Sequence, residues 1–279
     1  MIFFSDMDGT FLTSDKRVSE ASWQALDAIH DAGIHFVPCT GRALSGIPAP
    51  ILEHPAVSFA ISANGASVSA LDTQAPARTE LATTIASWPL DRGRALGICA
   101  IARRHDVTID VFADGRCLAQ RAFFERLGEF VDDPGILRAM RATRTVLDET
   151  AEEVIERAGT LERLAFYWKD PADRDAILSE LADMADIEVT RSYPMNIEVM
   201  GAGATKGGAL AWLCRHLDTD PLDAVAFGDN MNDIPMLRRA GTGVAMANAE
   251  PEVIDAADIV ATSNDDDGVA RLIMELLVR

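Results

Sequence analysis

Positive charge is scarce in this chain. Its 279 residues carry 25 Lys and Arg against 44 Asp and Glu, a formal net charge of −19. Such a surface repels nucleic acid and anionic membranes, and no Lys/Arg cluster offers a local exception. It also repels anionic small molecules at long range, so any phosphate site must carry its own cations. Cysteine is scarce too. Cys39, Cys99, Cys117 and Cys214 form no CxxC pair, and a chain of this size needs no disulfide staple. They read as reduced, small apolar residues of a cytoplasmic protein. The five histidines, at 30, 35, 54, 105 and 216, show no HxH or HExxH spacing, which argues against a zinc site. No apolar run is long enough to span a bilayer. Asp6 comes too soon for the apolar stretch of a secretory leader, so none is expected. Internal repeats and low-complexity segments are absent from the sequence.

What is present is apolar mass, 48% of residues, drawn mainly from Ala, Leu, Ile and Val, with aromatics at only 6%. That is enough for a sizeable core, and the length suits two domains better than one. The first dozen residues stand out. An apolar run, Ile2-Phe-Phe-Ser5, ends in Asp6-Met-Asp8-Gly9-Thr10. In a strand, residues i and i+2 share a face, so Asp6 and Asp8 leave the strand end pointing the same way. A bland reading is a strand entering an Asp-Gly turn. The sharper one is a carboxylate pair that needs a cation, a proton or a hydrogen-bond shell to offset its repulsion.

The chain that follows alternates strands and helices. Ser19 is a helix cap, with Trp23, Leu26 and Ile29 at helical spacing and Gly33 as the stop. Residues 34–38 read as a strand ending in Cys39-Thr40-Gly41-Arg42, and 57–62 as another ending at Asn64-Gly65. Residues 66–71 and 78–81 flank 72–76 as a candidate hairpin. From about residue 83 the texture changes. Helical stretches at 90–104, 134–141, 151–158 and 171–184 are interleaved with strands at 107–113, 116–120, 161–169 and 187–190. Hairpin strands with intervening helices indicate an α+β module rather than further parallel crossovers. The parallel alternation resumes with a strand at 196–200, the helix 206–217 opened by Thr205, and a strand at 223–227. That strand ends in Gly228-Asp229-Asn-Met-Asn232-Asp233. The reading is therefore α/β: a Rossmann-like parallel-sheet core of residues 1–82 and 192–279, with an α+β cap inserted over 83–191.

In open parallel sheets, ligands bind beyond the carboxyl ends of the strands. The residues that leave strand ends are Asp6, Asp8, Thr40, Asn64, Asp229 and Asp233, with Lys206 at a helix start. Several carboxylates with one ammonium and one hydroxyl form a hard oxygen site of the kind that suits Mg²⁺, which takes one or two carboxylates plus a substrate phosphate. Thr40 and the backbone N–H groups of the Asp8–Thr10 loop are neutral donors for the phosphate. An aspartate can attack phosphorus to give an aspartyl-phosphate, and a second one two residues on can move the proton. Each residue also has a plain reading: Thr40 as a strand-end hydroxyl, Asn64-Gly65 as a turn, Arg42 as a surface arginine, Asp229–Asp233 as a capping loop.

Together, Asp6-Met-Asp8-Gly-Thr10, Thr40-Gly-Arg42, Lys206-Gly-Gly and Gly228-Asp229-Asn-Met-Asn232-Asp233 resemble the four ordered motifs of the haloacid dehalogenase superfamily. Asn64-Gly-Ala66, Val244-Ala-Met-Ala-Asn248-Ala249 and Asn264-Asp-Asp-Asp-Gly268-Val269 are similar to its Cof-like branch, class IIB, which carries a large cap between the second and third motifs. The resemblance implies Asp6 as nucleophile and Mg²⁺ ligand. It implies Asp8 as acid/base, with its backbone carbonyl on the metal. Thr40 and Lys206 would hold the phosphate, with Lys206 also orienting Asp6. Asp229 would ligate Mg²⁺, Asp233 support the metal shell through water, and Asn232 touch substrate or phosphate. Arg42 and Asn64 are added as substrate-side candidates. Phe11 and Ala247 depart from the commoner leucine and glycine without touching these roles.

The function expected is a Mg²⁺-dependent phosphatase of small metabolites, sugar phosphates first, whose cap closes over the strand ends and selects the leaving group. The protein is expected to be a monomer or homodimer. A sugar phosphomutase on the same core is one rival. A receiver-like phospho-acceptor module is another, opposed by Asp8, which is placed to hydrolyse what a receiver must retain.

Overall fold

The computed structural model describes residues 1–72 and 82–278. The chain forms two compact units, one of Met1–Gly41, Ile47–Ser87 and Thr205–Arg279, and another of Arg42–Gly46 and Trp88–Ala204. Among the described residues no helix is long and apolar enough to cross a membrane.

In chain order the strands are β1 (Ile2–Ser5), β2 (His35–Pro38), β3 (Phe59–Ser62), β4 (Ser67–Ala70), β5 (Thr83–Ser87), β6 (Val107–Ala113), β7 (Arg116–Gln120), β8 (Arg144–Leu147), β9 (Leu161–Trp168), β10 (Ile187–Thr190), β11 (Asn196–Gly201), β12 (Ala224–Gly228), β13 (Thr242–Met246) and β14 (Ile259–Ala261). The first unit is built on a parallel sheet in the order β14-β13-β12-β1-β2. Its central strands are continuously apolar because helices cover both faces of such a sheet. Phe3, Phe4, Phe36, Ala226 and Phe227 are fully buried. The helix Glu20–Asp31 starts where Ser19 accepts from the Ser22 N–H, as its sequence position requires.

The strand order reverses at β1. The chain moves from β1 to β2 on one side and from β12 through β13 to β14 on the other. Ser5 sits opposite both Pro38 and Phe227, so Asp6, Cys39-Thr40 and Gly228-Asp229 all leave the same edge at adjacent positions. That reversal opens the crevice in which parallel sheets bind ligands.

The second unit is a six-stranded sheet in the order β10-β11-β9-β6-β7-β8. Helices Arg92–Ala102, Ala151–Arg157 and Pro171–Leu181 pack on the face carrying Ile109, Val111, Leu164, Phe166, Ile197 and Val199. The alternate residues of β6, β9 and β11 point to the other face. On that face Asp110 of β6 makes a buried ion pair with Arg144 of β8 at 2.7 Å, and Arg163 of β9 makes one with Glu198 of β11 at 2.5 Å.

Three expectations change. Residues 196–200 do not return to the parallel sheet: β11 lies antiparallel between β9 and β10. Residues 83–87 do not begin the inserted module, because β5 pairs with β4. The division therefore falls after Ser87 and Ala204, not after residues 82 and 191, and Arg42–Gly46 groups with the second unit, where the Ser45 N–H donates to the Gly115 carbonyl at 3.1 Å. The hairpin strand expected at 78–81, and all of its turn but Asp72, lie outside the described residues. The helix Arg121–Arg126 and strand β8 are elements that the sequence reading did not anticipate.

Candidate active site

Asp6 leaves β1 with its N–H donated to the Phe227 carbonyl at 2.9 Å, so the sheet itself places the carboxylate. Lys206, fully buried at the start of the helix Lys206–His216, donates to Asp6 Oδ1 at 2.6 Å and to Asp233 Oδ1 at 2.5 Å. Thr205 caps that helix through the Gly208 N–H. A lysine at a helix N-terminus opposes the helix dipole; here two carboxylates hold it. The other oxygen of Asp233, Oδ2, accepts from the Asp229 and Asn230 N–H groups, each at 2.9 Å, and so folds the loop after β12.

Carboxylate oxygens of Asp6, Asp229 and Asp233 lie within 4.8 Å of one another. Burial pushes Asp6 up to about 7 from 3.8; Asp233 and Asp8 add to this and Lys206 opposes it. Burial also holds Asp229 well above the usual carboxylate range, with Asp6 and Asp233 contributing. Burial pulls Lys206 down, but Asp233 and Asp6 together outweigh it and keep the ammonium charged. Three acids around one ammonium leave negative charge in excess, and without another cation a buried carboxylate retains its proton near neutrality. A hard divalent ion fits this donor set: all oxygens, clustered and under-compensated.

Other predicted residues take other positions. The Asp8 carboxylate stands outside that cluster and pairs with Lys16 at 2.9 Å. Thr40 follows β2, buried, its N–H donated to Ile61. Asn232 and Asn64 meet side chain to side chain, with Asn232 Nδ2 donating to Asn64 Oδ1 at 3.0 Å. Arg42 groups with the second unit, where its guanidinium donates to the Gly46 carbonyl at 2.7 Å.

Several partners escaped the sequence reading. Thr10 donates its hydroxyl to Asp229 Oδ1 and orients that carboxylate. Gly9, at φ +82°, has no room for a Cβ against the same carboxylate. Asn248 donates to the Gly9 carbonyl at 2.8 Å, Asn264 to the Leu12 carbonyl at 2.9 Å, and Asp265 accepts from Ser14. The segments at 248 and 264 thus pin the loop that follows Asp6. Lys16 carried no signal, because it lies in a turn outside every motif.

A parallel sheet with an acidic, lysine-bridged site at its switch point defines a Rossmann-like α/β core with a cation-seeking site at its carboxyl edge. The model of the haloacid dehalogenase-like hydrolase family matches residues 3–273, and the chain belongs to that family. It is 28% identical over 268 residues, 96% of this chain and 92% of the relative, to the 5-amino-6-(5-phospho-D-ribitylamino)uracil phosphatase YcsE of Bacillus subtilis. A solved phosphatase of the same superfamily from Bacteroides thetaiotaomicron is 26% identical, with a TM-score of 0.78 over 100% of this chain and 95% of that one. A solved HAD subclass IIB sugar phosphatase shares the fold at 20% identity, with a TM-score of 0.81 over 100% and 99% of the two chains.

Proposed function

We propose that the protein is a Mg²⁺-dependent phosphomonoesterase of small phosphorylated metabolites, sugar phosphates first, that works through an aspartyl-phosphate on Asp6. The observation that carries this reading is the buried ammonium of Lys206 bridging Asp6 and Asp233 beside Asp229. The activity of the YcsE relative on a phosphorylated ribityl compound supports the substrate class.

Asp6 and Asp229, with the Asp8 backbone carbonyl, would hold the metal, and Asp233 would stand behind them. When bound, Mg²⁺ offsets the charge of the carboxylates and of the transferring phosphoryl group. Lys206 spends two N–H groups on Asp6 and Asp233, fixing the oxygen that attacks, and presents its third to a phosphoryl oxygen. Thr40 donates its hydroxyl, and Asn232 the second N–H of its amide, to further phosphoryl oxygens. Asp6 attacks phosphorus in line. Asp8 gives its proton to the departing alcohol oxygen and then takes one from the water that cleaves the acyl phosphate. In the resting geometry Asp8 is a carboxylate paired with Lys16, so to act it leaves that pair and first takes a proton from solvent, which it then gives to the leaving oxygen.

The test is phosphate release across a panel of phosphorylated metabolites, with Mg²⁺ and with EDTA. Release with Mg²⁺, its loss in EDTA and its loss in Asp6→Asn are expected. Isomerisation of a hexose phosphate without release would make the protein a mutase, and undiminished turnover by Asp6→Asn would remove the nucleophile.

A further inference from the structure

The turn after β3 has a constrained backbone. Ala63 (φ 49°), Asn64 (φ 60°) and Gly65 (φ 94°) stand one after another in the left-handed region. Two successive non-glycine residues persist there only where the surroundings over-determine them. Here each contact of the turn reaches a different group on the phosphate side. The Asn64 N–H donates to the Thr40 carbonyl at 3.0 Å. The Asn64 side chain accepts from Asn232 Nδ2, also at 3.0 Å. A Cβ on Gly65 would strike the carbonyl of Thr205, the residue before Lys206, so the turn lies directly against the start of the Lys206 helix.

Asn64 turns its amide oxygen to Asn232 and its N–H to the Thr40 carbonyl, so both are engaged within the protein. Asn232 is different. Its Oδ1 is buried with no hydrogen-bond partner among the described residues, while its nitrogen is tied to Asn64. Buried polar atoms are rarely left unpaired, and those that are need a reason. The amide nitrogen has a second N–H to give and the oxygen an open acceptor, so the group is held for partners that arrive with the substrate: a phosphoryl oxygen on the N–H and a hydroxyl or water on the oxygen.

We infer that Asn64 is a positioning residue and not a substrate ligand. It acts through Asn232, whose amide it orients, and through the backbone of Thr40. This rests on the phosphomonoesterase reading above. It also replaces the substrate contact expected of Asn64 from sequence.

The experiment is a double-mutant cycle on p-nitrophenyl phosphate hydrolysis in Mg²⁺, with kcat and KM measured for wild type, Asn64→Gly, Asn232→Ala and the double variant. Glycine adopts the left-handed backbone without strain, so Asn64→Gly removes the side chain alone. Each single variant should lose about tenfold in kcat/KM, mostly through KM, as for one lost hydrogen bond. The double variant should be no worse than the poorer single one. Inhibition by inorganic phosphate should weaken in step. Asn64→Asp, which keeps an acceptor and tolerates the same backbone, should fall nearer to wild type. Asn64→Ser, too short to reach Asn232, supplies the same cycle should glycine loosen the fold. Wild-type kinetics in Asn64→Gly, or losses that multiply to about a hundredfold, would overturn the inference. If wild type turns over no phosphoester, the functional reading falls and this one with it. If wild type turns over and the cycle is additive, only the role of Asn64 falls.

Discussion

The proposed nucleophile should be a burden on the metal-free fold, and Asp6→Asn should relieve it. Asp6 titrates at about 7 in the folded protein against 3.8 for an ordinary aspartate. Below pH 3.8 both folded and unfolded chains hold the proton, and stability is complete. As pH rises from there toward 7, the unfolded chain releases the proton and the folded chain keeps it, so stability falls. Above 7 the loss levels off. At 1.36 kcal/mol for each pH unit of the gap, it comes to roughly 4 kcal/mol for this one carboxylate. Asparagine carries no such charge, and its amide oxygen can still accept from Lys206, which retains Asp233. Urea unfolding in EDTA, followed by circular dichroism, should therefore find Asp6→Asn up to about 4 kcal/mol more stable than wild type at pH 8. The gap should close toward pH 4. Adding Mg²⁺ should narrow it at pH 8, because an ion that binds only the folded state stabilises wild type more than a variant lacking a ligand. An Asp6→Asn protein less stable than wild type at pH 8 in EDTA, or a gap that ignores pH, would refute the reasoning.

Two more outcomes follow from the second unit. Glu162 is 3% exposed, its Oε2 has no partner among the described residues, and burial pushes its carboxyl up to about 7 from 4.5 against the pull of the Gly115 N–H and Arg163. Its folded value is raised, so its contribution is whole below pH 4.5 and lost as pH rises through 7. Glu162→Gln should match wild type in thermal melts near pH 4 and exceed it by roughly 3 kcal/mol at pH 8; a loss at pH 8 would sink the argument. Arg163 lies over the Phe112 ring at 3.8 Å and pairs with buried Glu198. Arg163→Met should cost about 3 kcal/mol in urea unfolding by removing the counter-charge of that carboxylate, which keeps Ser192 and Asn196 as donors, and adding Glu198→Leu should recover part of it. A double variant as unstable as the sum of the two single ones would show that the pair is not coupled.

The meeting of Asp6, Asp229 and Lys206 was legible because the first two leave the ends of apolar runs and the third opens a helix. In a parallel sheet that position fixes the edge: Asp6, Thr40 and Asp229 had to emerge together once β1, β2 and β12 were strands. Side-chain partners across loops are not written in sequence, which is why Asn64 read as a substrate-side residue with no sign that its amide oxygen accepts from Asn232. The edge of the inserted module was misplaced for a reason that was there to see. β1 and β12 are continuously apolar, as a strand covered on both faces must be, whereas β11 alternates Asn196, Glu198 and Met200 with Ile197 and Val199. That alternation, with charge on one face, belongs to an antiparallel sheet. The partners of Lys16 and Thr10 had no counterpart in spacing, because a turn's side-chain directions depend on the loop packed beside it.

That loop packing explains how like charges are kept so close. The segment after Asp6 is held from 219 to 252 residues away in sequence: by Thr10 on Asp229, by Asn248 on Gly9, by Asn264 on Leu12 and by Asp265 on Ser14. Of these bonds only that from Thr10 favours a charged carboxylate, that of Asp229, and burial and the neighbouring acids outweigh it. Together the bonds remove the local route by which the carboxylates could separate, which is to let the loop drift outward. Relief must then come from a proton or from a cation, and a proton on Asp6 would abolish its nucleophilicity. A site that cannot relax and cannot afford the proton is one preorganised for a divalent ion, and this links the instability expected of metal-free Asp6 to the activity proposed for it.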